Sequence, residues 1–187
     1  LPVPFAAVHL LFINLLTDSL PAIAIGMEKS KKDVLKDKPR DASESILTKD
    51  FIQEIGIQGL LIGIFTMISY HIGLNTGNHG LAMTMAFSTL CLARLFHGFN
   101  CRGKKSIFGL GVFSNKFSWI AFISGVFLVN VVLLVPVLQG LFEITPLSSN
   151  ELLLVHLLAF IPTLLIQTFK VIRDFFENKN EKSNEKH

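Results

Sequence analysis

The sequence predicts an all-α fold, a polytopic membrane helix bundle of about five transmembrane helices. Half of the 187 residues are hydrophobic, the mean hydropathy is positive, and the apolar residues fall in long runs separated by short polar segments. A soluble domain of this size also has a core, but here five runs approach the roughly 20 residues needed to cross a bilayer. They are Phe5 to Gly26, Phe51 to Ile72, Leu81 to Asn100, Phe117 to Val137 and Leu152 to Val171. Residues 1–175 therefore read as one transmembrane domain and 176–187 as a polar, disordered cytoplasmic tail. The chain opens on Leu1 and is apolar from Phe5, as expected of part of something longer. No run has the basic start, short apolar centre and small-residue cleavage site of a signal peptide.

The first run carries the chemistry. Asn14, Thr17 and Asp18 lie inside it, and a carboxylate at membrane depth costs at least ~2.5 kcal/mol unless it is paired, hydrated or metal-bound. Their three- and four-residue spacing puts an amide oxygen, a hydroxyl and a carboxylate on one helix face. Oxygen ligands of that kind suit a hard cation. Pro21 kinks this helix and has no N–H for the carbonyl of Thr17, which is left free beside Asp18. The second run holds Gly56, Gly59 and Gly63 at helical spacing, a small-residue face that lets another helix approach closely. Its Glu54 lies near one end, where snorkelling makes a charge inexpensive.

The third run contains Arg94, the one Lys or Arg outside the polar segments and the C-terminal flank. Two opposite charges, Asp18 and Arg94, are thus expected in one small bundle. They form either a structural ion pair or a pathway in which Asp18 binds a cation and Arg94 is a permanent positive charge. Arginine has no acceptor atom and cannot ligate a metal. His97 and Cys101 share a four-residue spacing, but two ligands make a weak zinc site. Cys91 and Cys101 are not expected to pair with each other. His9, His71, His79 and His156 read as interfacial or packing residues, and the many Phe residues as filler.

Orientation follows from the basic residues. Lys29, Lys31, Lys32, Lys36, Lys38, Arg40 and Lys49 separate the first two runs, Arg102, Lys104, Lys105 and Lys116 the third and fourth, while the two intervening loops have none. Lys170 lies at the end of the fifth run, and Arg173, Lys179, Lys182 and Lys186 follow it. The positive-inside rule puts the basic segments and the C-terminus in the cytoplasm and the N-terminus outside. The net charge of +3 is then a topological signal, and no nucleic-acid partner is expected.

The string Asn14-Leu15-Leu16-Thr17-Asp18-Ser19-Leu20-Pro21-Ala22, with Gly26 and the later Asp37-Lys38-Pro39-Arg40, closely resembles the sixth transmembrane helix and following loop of calcium-type P-type ATPases. Met83-Thr84-Met85-Ala86-Phe87-Ser88 resembles the start of that family's eighth helix. The resemblance covers essentially the whole chain, as helices six to ten. It implies ATP-driven export of Ca2+ from the cytoplasm, across the plasma membrane, through a phosphoaspartate made in cytoplasmic domains outside this sequence. Ca2+ would be the transported ion, with Mg2+ and ATP used by those domains. Partners would be membrane lipids and the upstream transmembrane and cytoplasmic domains of the same pump.

Carried over by residue, the resemblance makes Asn14 and Asp18 ion ligands, with Thr17 at the edge of a second site in pumps that carry two. The sodium and potassium branch generally has Asp where this chain has Asn14, which favours Ca2+. Where two-site calcium pumps align a Glu ligand, this chain has Arg94. A guanidinium there should remove the second site by repulsion and bulk, giving one Ca2+ per cycle and leaving Arg94 as counter-ion to Asp18. Asp37 and Arg40 are the expected coupling residues, and the Gly56, Gly59 and Gly63 face should meet the fifth helix. The family's Asp-Lys-Thr-Gly-Thr phosphorylation motif and Pro-Glu-Gly-Leu turn do not occur in this sequence, so this piece alone should not hydrolyse ATP. Two other readings compete: a monovalent-cation or Mn2+ pump of the same superfamily, and a non-catalytic membrane scaffold.

Overall fold

A computed structural model of the chain describes residues 3–28 and 47–184, apart from the side chains of Leu16 and of 177–184. Among the described residues the fold is all-α: α1 (Ala7–Phe12), a π-helical turn (Ile13–Thr17), α2 (Ser19–Gly26), α3 (Lys49–Leu74), α4 (His79–His97), a 3-10 turn (Asn100–Arg102), α5 (Ile107–Leu110), α6 (Lys116–Leu134), α7 (Pro136–Leu141) and α8 (Ser149–Asn184). Among the described residues five stretches are long and apolar enough to span a membrane: Ala7–Gly26, Lys49–Leu74, His79–Arg102, Lys116–Leu134 and Ser149–Phe176. This is an integral, multi-pass membrane bundle.

The helix starts follow from local chemistry. Thr48 and Asn78 accept hydrogen bonds from Phe51 N at 3.3 Å and Leu81 N at 3.1 Å, capping α3 and α4. Asn115 Oδ1 accepts from Phe117 N at 2.9 Å and Ser118 N at 3.1 Å, capping α6. The fourth span ends at Leu134, three residues before the end read from the sequence. Val135 precedes a proline and is extended (φ −88°, ψ 116°), as the ring of Pro136 demands, and Pro136 opens α7. The backbone of α8 is helical through Asn184, past residue 176, where the sequence reading begins its tail.

Helix α4 is the axis of the bundle. It packs against α3, α8, α6 and the π-helical turn, and Ala82, Met85, Ala86, Phe87, Cys91, Leu92 and Ala93 along it are fully buried. Lipid is as apolar as a leucine side chain, so the helices associate through dispersion, close approach and interhelical hydrogen bonds. Small residues provide the approach. A Cβ on Gly73 of α3 would lie 2.6 Å from the Ala82 backbone, and one on Gly125 of α6 would lie 2.5 Å from the Leu95 side chain. Hydroxyls add polar links: Ser69 Oγ donates to Met85 O at 3.1 Å, and Thr89 Oγ1 donates to Ser69 Oγ at 2.7 Å.

The glycine face expected to pack lies elsewhere on the same helix. A Cβ on Gly56, Gly59 or Gly63 would meet nothing within 4 Å, because the buried residues of α3, from Ile62 to Gly73, all lie in its second half. The first half stands away from α4 and α8 and borders an open cavity of about 650 Å³ that reaches Arg94.

The close approach at Gly73 yields a stability prediction. Gly73→Ala forces apart α3 and α4 at a backbone contact and should cost about 1–3 kcal/mol, read as a lower Tm in detergent; an unchanged Tm would show that the α3–α4 crossing is looser than described.

Candidate functional site

The site begins with the break in the first span. Asp18 N donates to Ile13 O at 3.2 Å, a five-residue step, and Thr17 Oγ1 donates to the same carbonyl at 2.8 Å. A hydroxyl inserted into the ladder widens the turn, and Pro21 has no N–H to restore a regular one. Ala22 N donates to Asp18 O at 3.2 Å, and the α-helix resumes. Single π-helical turns of this kind recur at functional sites.

That turn presents Asp18 to α4. Arg94 Nη1 donates to Asp18 Oδ2 at 2.8 Å. The Asp18 and Arg94 side chains retain 42% and 36% of their surface, and Arg94 borders the cavity beside α3. Asn14 is exposed one turn earlier, whereas Thr17 is buried with its hydroxyl committed to the backbone. The structure thus joins Asp18 and Arg94 and leaves Asn14 exposed. Asp37 and Arg40 lie outside the described residues.

His97 Nδ1 lies 3.2 Å from Asn100 Nδ2, which donates to it, and Cys91 and Cys101 are free thiols. No group of three or more His, Cys, Asp or Glu side chains able to hold a metal ion occurs among the described residues. His9 is fully buried: Nδ1 accepts from Ala6 N at 3.2 Å, so Nε2 carries the proton and donates to Phe142 O at 2.7 Å, and the ring stacks on Phe87 at 4.5 Å.

Two cations counted as loop or tail charges prove to be structural. Lys170 on α8 is buried and its Nζ donates to Asn100 O at 2.6 Å and Gly103 O at 2.7 Å, capping the end of the third span. Arg102, its side chain fully enclosed, donates from Nε and Nη2 to the two Glu28 carboxylate oxygens at 3.0 and 2.9 Å. Its Nη2 also reaches Ser114 Oγ at 2.6 Å, and Nη1 reaches Gly111 O at 3.3 Å. Asn115 Nδ2 completes the group, donating to Glu28 Oε2 at 2.7 Å and Ala24 O at 3.0 Å. The N-cap signature Ser114-Asn115 before the fourth run was readable in the sequence; its bond to Glu28 was not, because the partners lie 87 residues apart.

The family described as cation transporting ATPase, C-terminus, matches residues 2–172. The chain is 39% identical over 178 residues to a calcium-transporting ATPase of Listeria monocytogenes, covering 92% of this chain and 20% of that protein. It is 36% identical over 168 residues to the calcium-transporting ATPase of Bacillus subtilis, covering 89% and 19%. It is 30% identical over 178 residues to the calcium-transporting ATPase type 2C member 2 of Rattus norvegicus, covering 94% and 19%. The chain spans about a fifth of the length of these curated relatives.

The Asp18–Arg94 contact makes a measurable claim. In the intact protein without divalent cations, Asp18→Ala and Arg94→Met should each lower the Tm, and the double variant should lose less than their sum. A coupling energy of about 0.5–3 kcal/mol is expected for charges in contact, since removing both leaves neither orphaned. Additive losses would separate the two side chains.

Proposed function

We infer function from one premise: the chain belongs to the cation-transporting ATPase family, and lies in its C-terminal membrane region. In the whole protein it forms part of an ATP-driven pump that exports Ca2+ from the cytoplasm, one ion per cycle. The observation that carries this reading is a carboxylate at a π-helical turn in mid-span, held by one hydrogen bond to a guanidinium.

Asp18 is the principal ligand. Its carboxylate, the Asn14 amide oxygen and backbone oxygen at the Thr17 turn are hard donors suited to Ca2+, which takes six to eight oxygens, about 2.3–2.6 Å away. These residues supply only part of such a shell, so upstream segments provide the rest. The open flank beside Arg94, Gly59 and Gly63 is where an upstream helix approaches. Arg94 cannot ligate. It occupies the place of a second ion and repels one: two unit charges 4 Å apart interact by about 4 kcal/mol at an effective dielectric of 20. When Ca2+ leaves Asp18, the guanidinium takes up the carboxylate and no net charge stays stranded in the bilayer.

The remaining assignments rest on the sequence. Basic segments face the cytoplasm, which places the N-terminal end of this region outside the plasma membrane. Mg2+ and ATP act in the upstream cytoplasmic domains, and Asp37 and Arg40 couple those domains to the ion site.

Phosphoenzyme formation from radiolabelled ATP in the full-length protein should depend on Ca2+, and Asp18→Asn should abolish that dependence. Undiminished dependence in the variant removes Asp18 from the site, while stimulation by Mn2+ or a monovalent ion in place of Ca2+ reassigns the cargo. Equilibrium binding should give one Ca2+ per phosphorylation site in the wild type and two in Arg94→Glu. A single ion in both would overturn the role given to Arg94.

A further inference from the structure

The first span, with the two residues that follow it, is joined to the third by two ion pairs of the same polarity, each a carboxylate from the former and a guanidinium from the latter. Asp18 meets Arg94, and Glu28 meets Arg102. Between them Pro21 touches Gly98, where a Cβ would lie 3.1 Å from the proline ring. The stretch 18–28 therefore lies along 94–102 in parallel, its two charge contacts about 15 Å apart at helical rise.

The two pairs are built differently. Asp18 and Arg94 share a single hydrogen bond, with both side chains part-exposed. Glu28 and Arg102 share two in the fork geometry, with the guanidinium side chain fully enclosed and its remaining donors taken by Gly111, Val112 and Ser114. Asn115 binds the same carboxylate while its other amide atom caps α6. Glu28 thus joins the ends of α2, α4 and α6. The single-bond pair can open when a cation takes the Asp18 carboxylate; the forked pair stays shut, because opening it would strand an enclosed charge.

We propose that Glu28, Arg102 and Asn115 form a fixed pivot: when a cation opens the Asp18–Arg94 pair, α2 turns about its basic end and carries α6 and the 103–115 loop with it. Arg102 is on this account a positioning residue for transport, acting through α2 rather than on the ion. Without the pivot, α2 slides as well as turns, and cation occupancy at Asp18 is no longer reported at the basic end. The inference rests on the pump reading above.

The test is the ratio of Ca2+ transported to ATP hydrolysed by the full-length pump in sealed vesicles, a quantity independent of how much protein is folded. Glu28→Gln, Arg102→Met and the double variant are compared with wild type. The double variant removes both charges and leaves none enclosed and unpaired, so its folding is spared. The pivot predicts a ratio lowered about threefold or more in all three, with Ca2+-dependent phosphoenzyme still formed. A wild-type ratio in the double variant would overturn the pivot and leave the pump reading standing. Absence of Ca2+ uptake by the wild type would overturn that reading, and the pivot with it.

Discussion

A charge carried into hydrocarbon must be matched, and the architecture of this chain is arranged around that requirement. One carboxylate enters the bilayer on the first span and one guanidinium on the third. Their meeting, together with that of Glu28 and Arg102, brings the first-span segment against the third. The break in the first span, where Thr17 and Asp18 both bond Ile13 O, is what aims the carboxylate at its partner. A regular helix through Pro21 would lack the N–H needed to close it.

Small residues do what apolar surface does in a soluble core. Gly73, Gly80 and Gly125 mark tight approaches between α4 and its neighbours, and the Ser69–Thr89–Met85 hydrogen bonds set the α3–α4 register. The polar end is stiffened by side chains rather than by further helix. Lys170 holds the carbonyls at the end of the third span, Gln167 joins Ile107 N to Asn100, Asp174 holds Ser106 N, and Arg173 bonds Lys104 O. Helix α8 thereby straps the loop that also anchors Arg102. Among the described residues, Asp18–Arg94, with one hydrogen bond and both side chains part-exposed, is the looser of the two charge contacts between these segments, and Glu28–Arg102 the tighter.

Much of this was legible in the sequence, and for an identifiable reason. Span number and approximate bounds follow from run length, because the bilayer imposes one thickness on every helix. Asp18 and Arg94 were conspicuous because few charges survive at that depth. The helix break was half legible: Pro21 announced an irregularity, but whether the turn tightens or widens depends on the Thr17 hydroxyl finding Ile13 O. The glycines were legible in part: spacing marks Gly56, Gly59 and Gly63 as a small-residue face without saying which helix covers it, and among the described residues nothing does, while the tight contacts within the chain form at Gly73, Gly80 and Gly125.

By itself, then, the sequence determined the all-α membrane class, the spans, the family and the identity of the two charges in mid-bilayer, since each depends on composition within one helix or on a contiguous motif. Tertiary structure alone decided that Asp18 and Arg94 touch, that His9 and Lys170 are enclosed, and that Glu28, Arg102 and Asn115 share one carboxylate. Each of those partnerships joins residues 70 or more positions apart or a residue to another helix's backbone. No local periodicity encodes which of several loop cations will turn inward; only the packing of the spans brings a particular guanidinium within reach of a particular carboxylate.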